Sequence, residues 1–179
     1  PIQRLAAANA IGVAAFENSS ALLARLLEDE DEKVRAKAKE AVKNLNISTI
    51  QGAESDEIKL IKSQSIVEQL QATDSDNTRK VASLLSSIGC VGSHDESLIS
   101  AIQPYLTSSD NRVRANALET LGQVYEGSDK SQFVPFLKDS NNRVIGNAIS
   151  ILCEKDSCPD EYFDQVNDAL ENLSLYHGV

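Results

Sequence analysis

The chain has 179 residues, 41% of them hydrophobic but only 4% aromatic, with no Trp and no Met. That is enough apolar material for one domain with a buried core, and the core must be built from Ala, Leu, Ile and Val. Lys and Arg number 17 against 27 Asp and Glu, a formal net charge of −10, which excludes a general nucleic-acid binder and argues against docking on an anionic membrane.

No apolar run approaches the roughly 20 residues of a membrane span, and no signal peptide is visible at the start. The chain begins at Pro1 without Met and reads as a piece of a longer protein. The acidity is uneven: residues 1–90 carry 11 basic and 13 acidic side chains, residues 91–179 carry 6 and 14. Cys90, Cys153 and Cys158 are odd in number and show no CxxC spacing. They predict neither a disulfide framework nor a zinc site, and suit reduced thiols in the cytoplasm.

In chain order, Arg4–Gly12 (RLAAANAIG) reads as the tail of a pattern that then recurs. The recurrences are Asp29–Leu45 (DEDEKVRAKAKEAVKNL), Asp74–Ile88 (DSDNTRKVASLLSSI), Ser108–Val124 (SSDNRVRANALETLGQV) and Asp139–Lys155 (DSNNRVIGNAISILCEK). Each starts with an Asp/Ser/Asn cluster, whose side-chain oxygens can cap the first turn of a helix, and runs into apolar residues at helical period. Aligned on Arg4, Arg35, Lys80, Arg114 and Ile145, the steps are 31, 45, 34 and 31 residues. The long step predicts a loop insertion at residues 46–57. The Asp74 copy fits equally well one residue out of register.

A second helix is predicted before each copy: Asn18–Glu28, Glu57–Ala72, Glu96–Leu106 and Lys130–Lys138. Leu98, Ile99, Ile102 and Leu106 form one apolar stripe of this kind. Pro104 and Pro135 fall inside these helices and should kink them. The order is helix A, short polar turn, helix B, repeated. Approximate repeats span 1–15 (partial), 18–45, 56–89, 94–124 and 128–154, with a terminal helix over 159–176.

The pattern Asp-x-x-x-x-(Val)-Arg-x-x-Ala resembles the HEAT repeat, and the RxNAxxxLG variant is similar to bacterial HEAT-like repeats also found in phycobilisome lyases. Asp29 and Arg35 match both signature positions; Asp74 and Lys80 match with Lys for Arg; Ser108 replaces the Asp ahead of Arg114; Ile145 replaces the Arg after Asp139. The resemblance implies an all-α, right-handed α-solenoid of HEAT-like helix pairs, in which Asp and Arg bridge neighbouring turns. It also implies a protein–protein interaction scaffold or regulatory module, with a lyase or chaperone of a bound small molecule such as a bilin as the alternative. One helix pair cannot bury its apolar face alone, whereas stacked neighbours can.

No catalytic, metal or cofactor site is expected. His94 and His177 have no His-Glu or His-x-x-x-His partner, so the iron-site pattern of HEAT-fold hydroxylases is missing. A lesion-binding glycosylase of this fold would need a basic face and aromatic side chains. Cys90 is expected to be a small packed residue, Cys153 to occupy the place of Gly122 and border the inner surface, and Cys158 to lie exposed in a loop. Glu154–Glu171 holds seven carboxylates and one Lys, with Asp160, Asp164, Asp168 and Glu171 at helical spacing, read as a solvated helix face.

The candidate partner-binding surface is the outward side of the B helices. A helical wheel places there Lys33, Ala36, Glu40, Lys43 and Asn44 in one copy, Arg112, Ala115, Glu119, Gly122 and Gln123 in another, and Arg143, Gly146, Ser150, Cys153 and Glu154 in the last. These should form one continuous strip whose small residues let a partner come close and whose rim charges set its orientation. Lys33, Lys37, Lys39 and Lys43 place like charges at i, i+4, a cost that an acidic partner would relieve.

Overall fold

The computed structural model describes residues 2–14, 19–45, 55–92, 95–153 and 157–175. The elements are α1 (Ile2–Ala14), α2 (Ser19–Leu27), α3 (Glu32–Asn44), α4 (Asp56–Gln71), α5 (Thr78–Val91), α6 (Glu96–Ile102), a 3-10 segment (Gln103–Thr107), α7 (Asn111–Val124), a second 3-10 segment (Ser131–Lys138), α8 (Asn142–Leu152) and α9 (Asp160–Leu175). No strand element occurs among the described residues.

The polar clusters start the B helices as the sequence predicts. Asp31, Asn77, Asp110 and Asn141 are N-caps whose side-chain oxygens accept backbone N–H bonds from the first turn. Two residues before the caps Asp31, Asp110 and Asn141 stand Asp29, Ser108 and Asp139, each accepting the cap residue's own N–H. Asp74 accepts instead from Asp76, the residue before its cap. A side chain that bonds the backbone two residues on is a turn device, so each copy writes its turn and its helix start in the same few residues.

The apolar stripes then choose partners. Val34, Ala38, Ala41 and Val42 of α3 and Val113, Ala117, Leu118 and Leu121 of α7 are almost wholly buried. The helices α1 and α3 pack side by side, as do α5, α7 and α8, while α2, α4, α6 with its 3-10 extension, and the second 3-10 segment cover them from the other side. Phe133 of the second 3-10 segment is fully buried and meets Tyr125 edge-on at 5.5 Å between ring centres, a favoured aromatic geometry.

Both prolines act as expected, and the result is tighter than a kink. The α-helix stops at Ile102 and continues as 3-10 through Pro104, while the element containing Pro135 is 3-10 throughout. Proline lacks the N–H for the α bond and its ring clashes with the carbonyl four residues back. The expected α-helix over Lys130–Lys138 is therefore corrected to a 3-10 segment.

The copy with two possible registers is settled by burial. Val81 is 1% exposed and lies four residues after the cap Asn77, whereas Val34, Val113 and Val144 lie three after theirs. One residue is thus added ahead of the core stripe, and Lys80 is exposed, not in the place of Arg35 and Arg114. At the other end, α5 closes on Gly92 with φ of 68°, a left-handed conformation that glycine adopts without strain. The predicted insertion at 46–57 lies outside the described residues up to position 54. Across it, α3 packs on α4 and not alongside α5, so the described B helices fall in two groups, α1–α3 and α5–α7–α8.

Candidate functional site

The turns between A and B helices are joined by ion pairs. Arg4 on α1 meets Asp29 of the following turn, with Nε 2.6 Å from Oδ2, and reaches Glu30 at 3.0 Å. Arg114 on α7 grips Asp139 of the next turn by two parallel bonds of 2.9 and 2.8 Å, and also donates to the carbonyls of Ser108 and Ser109. In both pairs the partners lie 25 residues apart. The two copies that each lack one signature residue therefore complement each other: the Arg of one holds the Asp of the next. Among the described residues Arg35 makes no such rung, and it donates to the carbonyls of Asp29 and Glu30.

The charges respond accordingly. Asp139 is held below the ordinary carboxylate range, chiefly by Arg114. Asp29 is lowered mainly by the N–H of Asp31, with Arg4 adding to it. Asp110 is also held well below its usual range, first by Arg112 and then by Thr78. Lys62, buried in α4, donates to the carbonyl of Lys43 at 2.6 Å, and burial lowers its pKa. It places a cation at the C-terminal end of α3, where the helix dipole favours one.

Most of the predicted strip is at the surface. Lys33, Ala36, Glu40, Lys43, Asn44, Arg112, Gln123, Arg143 and Ser150 are exposed, and Glu119, Gly122, Gly146 and Cys153 are half-buried; Glu154 lies outside the described residues. Ala115 must be corrected: it is 1% exposed. A wheel drawn for one buried face misses that α7 has a B helix on each side, α5 and α8. Asn147 of α8 donates to the Ala115 carbonyl at 2.9 Å. Among the described residues α3 and α5 do not pack side by side, so the described part of the strip, expected to be continuous, falls in two groups there.

Two clefts open between neighbouring B helices. One, between α7 and α8, holds about 370 Å3 and is lined in part by Glu119, Gly122, Gln123, Asn147 and Ser150. The other, between α1 and α3, holds about 70 Å3 and is lined in part by Gly12, Glu40 and Asn44. Gly122 is needed for close approach, because an added Cβ would lie 2.5 Å from Cγ1 of Ile151 on α8. At Gly146 an added Cβ would meet nothing within 4 Å, so that position faces open space.

Charge on the strip is largely matched within the chain. Arg143 bridges to Glu119 at 2.9 Å across the larger cleft. Lys37 pairs with Glu40 and Lys43 with Glu68, which relieves internally the like-charge cost that pointed to an acidic partner.

The inter-helix bonds of Asn116 and Asn147 were missed from sequence. They occupy the same place in successive copies, and each donates to a carbonyl of the preceding B helix, Asn116 to Ala82 at 2.8 Å and Asn147 to Ala115. The recurrent Asn before a buried Ala was the available signal.

The cysteines depart from expectation in part. Cys90 is exposed and not packed; Cys158 is only partly exposed and lies against the core with Cys153. Burial, with a hydrogen bond involving Cys158, pushes the Cys153 thiol up to about 11. His94 and His177 lie outside the described residues. Among the described residues no group of three or more His, Cys, Asp or Glu is placed to hold a metal ion, and no helix is long and apolar enough to cross a membrane.

Residues 98–128, from the third residue of α6 through the whole of α7, match the HEAT repeat family. The chain carries a HEAT repeat. The HEAT match covers the copy with Ser108, Arg114 and Asn116, the same one that carries the two clearest inter-repeat bonds. No curated protein matches the chain. Among solved structures, the crystal structure of an engineered protein is similar at 21% identity and a TM-score of 0.39, covering 94% of this chain and 76% of its own.

Proposed function

We propose that this chain is a protein-binding scaffold or regulatory module, without catalytic activity of its own, that receives a partner on the exposed side of its B helices. The observation that carries this reading is the open cleft between α7 and α8. It is lined by a mixture of charged, amide and small residues on two helices, with the Ile151 side chain packed close onto Gly122. Rigid helices hold such groups in place without ordering cost when a partner arrives. HEAT repeats commonly serve this role, and the larger cleft is lined by Glu119, Gln123, Lys130, Asn147 and Ser150 rather than by the mainly apolar walls that a small molecule such as a bilin favours. The stack is taken to turn as a right-handed superhelix, and the free thiols favour a reducing, cytoplasmic setting.

The test uses Gly146→Trp and Ser150→Trp, both at positions with room for the new ring. A photo-crosslinker at Gln123 first identifies the bound protein; binding is then measured by titration. The proposal expects both variants to keep their circular dichroism and melting temperature and to weaken binding at least tenfold. Variants that fold and bind like the parent would overturn it.

A further inference from the structure

The surface at the last helix differs from the B-helix strip and stands independently of it. The groove between α8 and α9 holds about 340 Å3 and is lined mainly by apolar and thiol side chains, among them Ile149, Cys153, Phe163, Val166 and Leu170, with Ser157 and Asn167 beside them. Phe163 is 56% and Leu170 49% exposed, two large apolar side chains seven residues apart on one face of α9. Tyr162, Val166 and Ala169 hold the same helix to the rest of the molecule and are buried. The apolar arc of α9 is therefore wider than its packing uses. Beside it lie the exposed Asp160, Asp164 and Asp168 at i, i+4 spacing, and α9 carries five carboxylates and no basic residue.

We propose that this groove docks a basic amphipathic helix of another protein. An apolar groove accepts a helix through residues at i, i+3/i+4 and i+7, and Phe163 to Leu170 spans roughly 10 Å, about two helical turns. Lysine or arginine on the flanks of the incoming helix meets the row of Asp side chains, which repel one another in its absence. A second copy is a poor occupant, since its own α9 would bring five further carboxylates to the same rim. The basic helix of this chain, α3, is equally unsuited: its apolar face of Val34, Ala38, Ala41 and Val42 is already buried.

The experiment is fluorescence anisotropy with a synthetic 18-residue helical peptide carrying Leu at i, i+3, i+4 and i+7 and Lys elsewhere. Two controls accompany it: the same peptide with Glu for Lys, and a scrambled Leu/Lys peptide without the apolar face. The Lys peptide binds with an affinity that falls as salt rises, at least tenfold tighter than either control. The Phe163→Ser/Leu170→Ser variant loses at least tenfold, and Asp160→Asn/Asp164→Asn/Asp168→Asn weakens binding and flattens its salt dependence. All five positions are exposed, and circular dichroism verifies that the variants fold. Equal binding of the scrambled peptide would reduce the effect to bulk charge attraction and overturn the proposal. So would unchanged binding by the serine variant, absence of binding, or sedimentation showing a dimer that the serine variant dissolves, since the occupant would then be a second copy.

Discussion

Arg114 offers the sharpest test of how the repeats are joined. Its guanidinium makes two bonds to the Asp139 carboxylate and two to the carbonyls of Ser108 and Ser109, and the paired side chains are only 15% and 13% exposed. Charge-assisted bonds at such a site are worth about 1.5–3 kcal/mol each in isolation and are not additive. Replacing Arg114 by Met keeps the apolar stem and leaves Asp139 with the Asn141 N–H as its remaining described donor. The expected cost is about 3 kcal/mol, a melting shift of roughly 6–12 °C for a chain of this size. Asp139→Asn in a double-mutant cycle should return a coupling of about 1.5–3 kcal/mol. The more exposed Arg143–Glu119 pair, at 53% and 42%, should couple by less than about 1 kcal/mol. The pH dependence follows from the direction of the shift. Because the folded pKa of Asp139 is lowered, its contribution is complete above the ordinary carboxylate value near about 4 and is lost as pH falls through the folded value. The difference between parent and Asp139→Asn should be flat from about pH 5 to 8 and shrink in stronger acid. An Arg114→Met variant costing less than about 0.5 kcal/mol, or a cycle with no coupling, would refute the bridge as a stabilising contact.

Three further outcomes are expected. Ala115→Trp should lower stability by about 3 kcal/mol or more through overpacking between B helices, whereas Gly146→Ala should raise it by about 0.5–1 kcal/mol through helix propensity, both read by chemical denaturation; equal effects at the two sites would show the burial difference to be wrong. In alkylation followed by mass spectrometry, exposed Cys90 should react well before Cys153. With its thiol pushed up to about 11, Cys153 holds only about 0.1% thiolate at pH 8 and should gain about tenfold in rate per pH unit above that, so similar rates at the two cysteines would contradict its placement. Small-angle scattering should give a radius of gyration above the roughly 16 Å of a compact domain of this length, and a value at or below it would contradict an open stack.

Local chemistry was legible in the residues themselves. Asp and Asn caps, the Asp or Ser turn residues two positions ahead of three of them, the apolar stripes of α3 and α7 and the helix-breaking prolines are short-range rules, satisfied within one turn of the chain. Those rules also identified Arg4, Arg114, Asp29 and Asp139 as special, since a signature residue stands out by its recurrence. Which Arg would meet which Asp was decided only in space, because the bond joins two copies: a copy that lacks its own Asp can still supply the Arg of a rung. The same distinction explains Ala115 and Lys80. A helical wheel describes one helix against one core, but α7 is flanked on two sides, so a position that is outward for the A layer is inward for the neighbouring B helix. The one-residue register of α5 was undecidable from its cap, since Asn77 permits either spacing to the first core residue, and only the burial of Val81 among its neighbours selects one. The free face of α9 is likewise a tertiary fact. Its apolar residues look like ordinary core in sequence, and Phe163 and Leu170 become a surface only because α9 packs through the neighbouring face that carries Tyr162, Val166, Ala169 and Leu173.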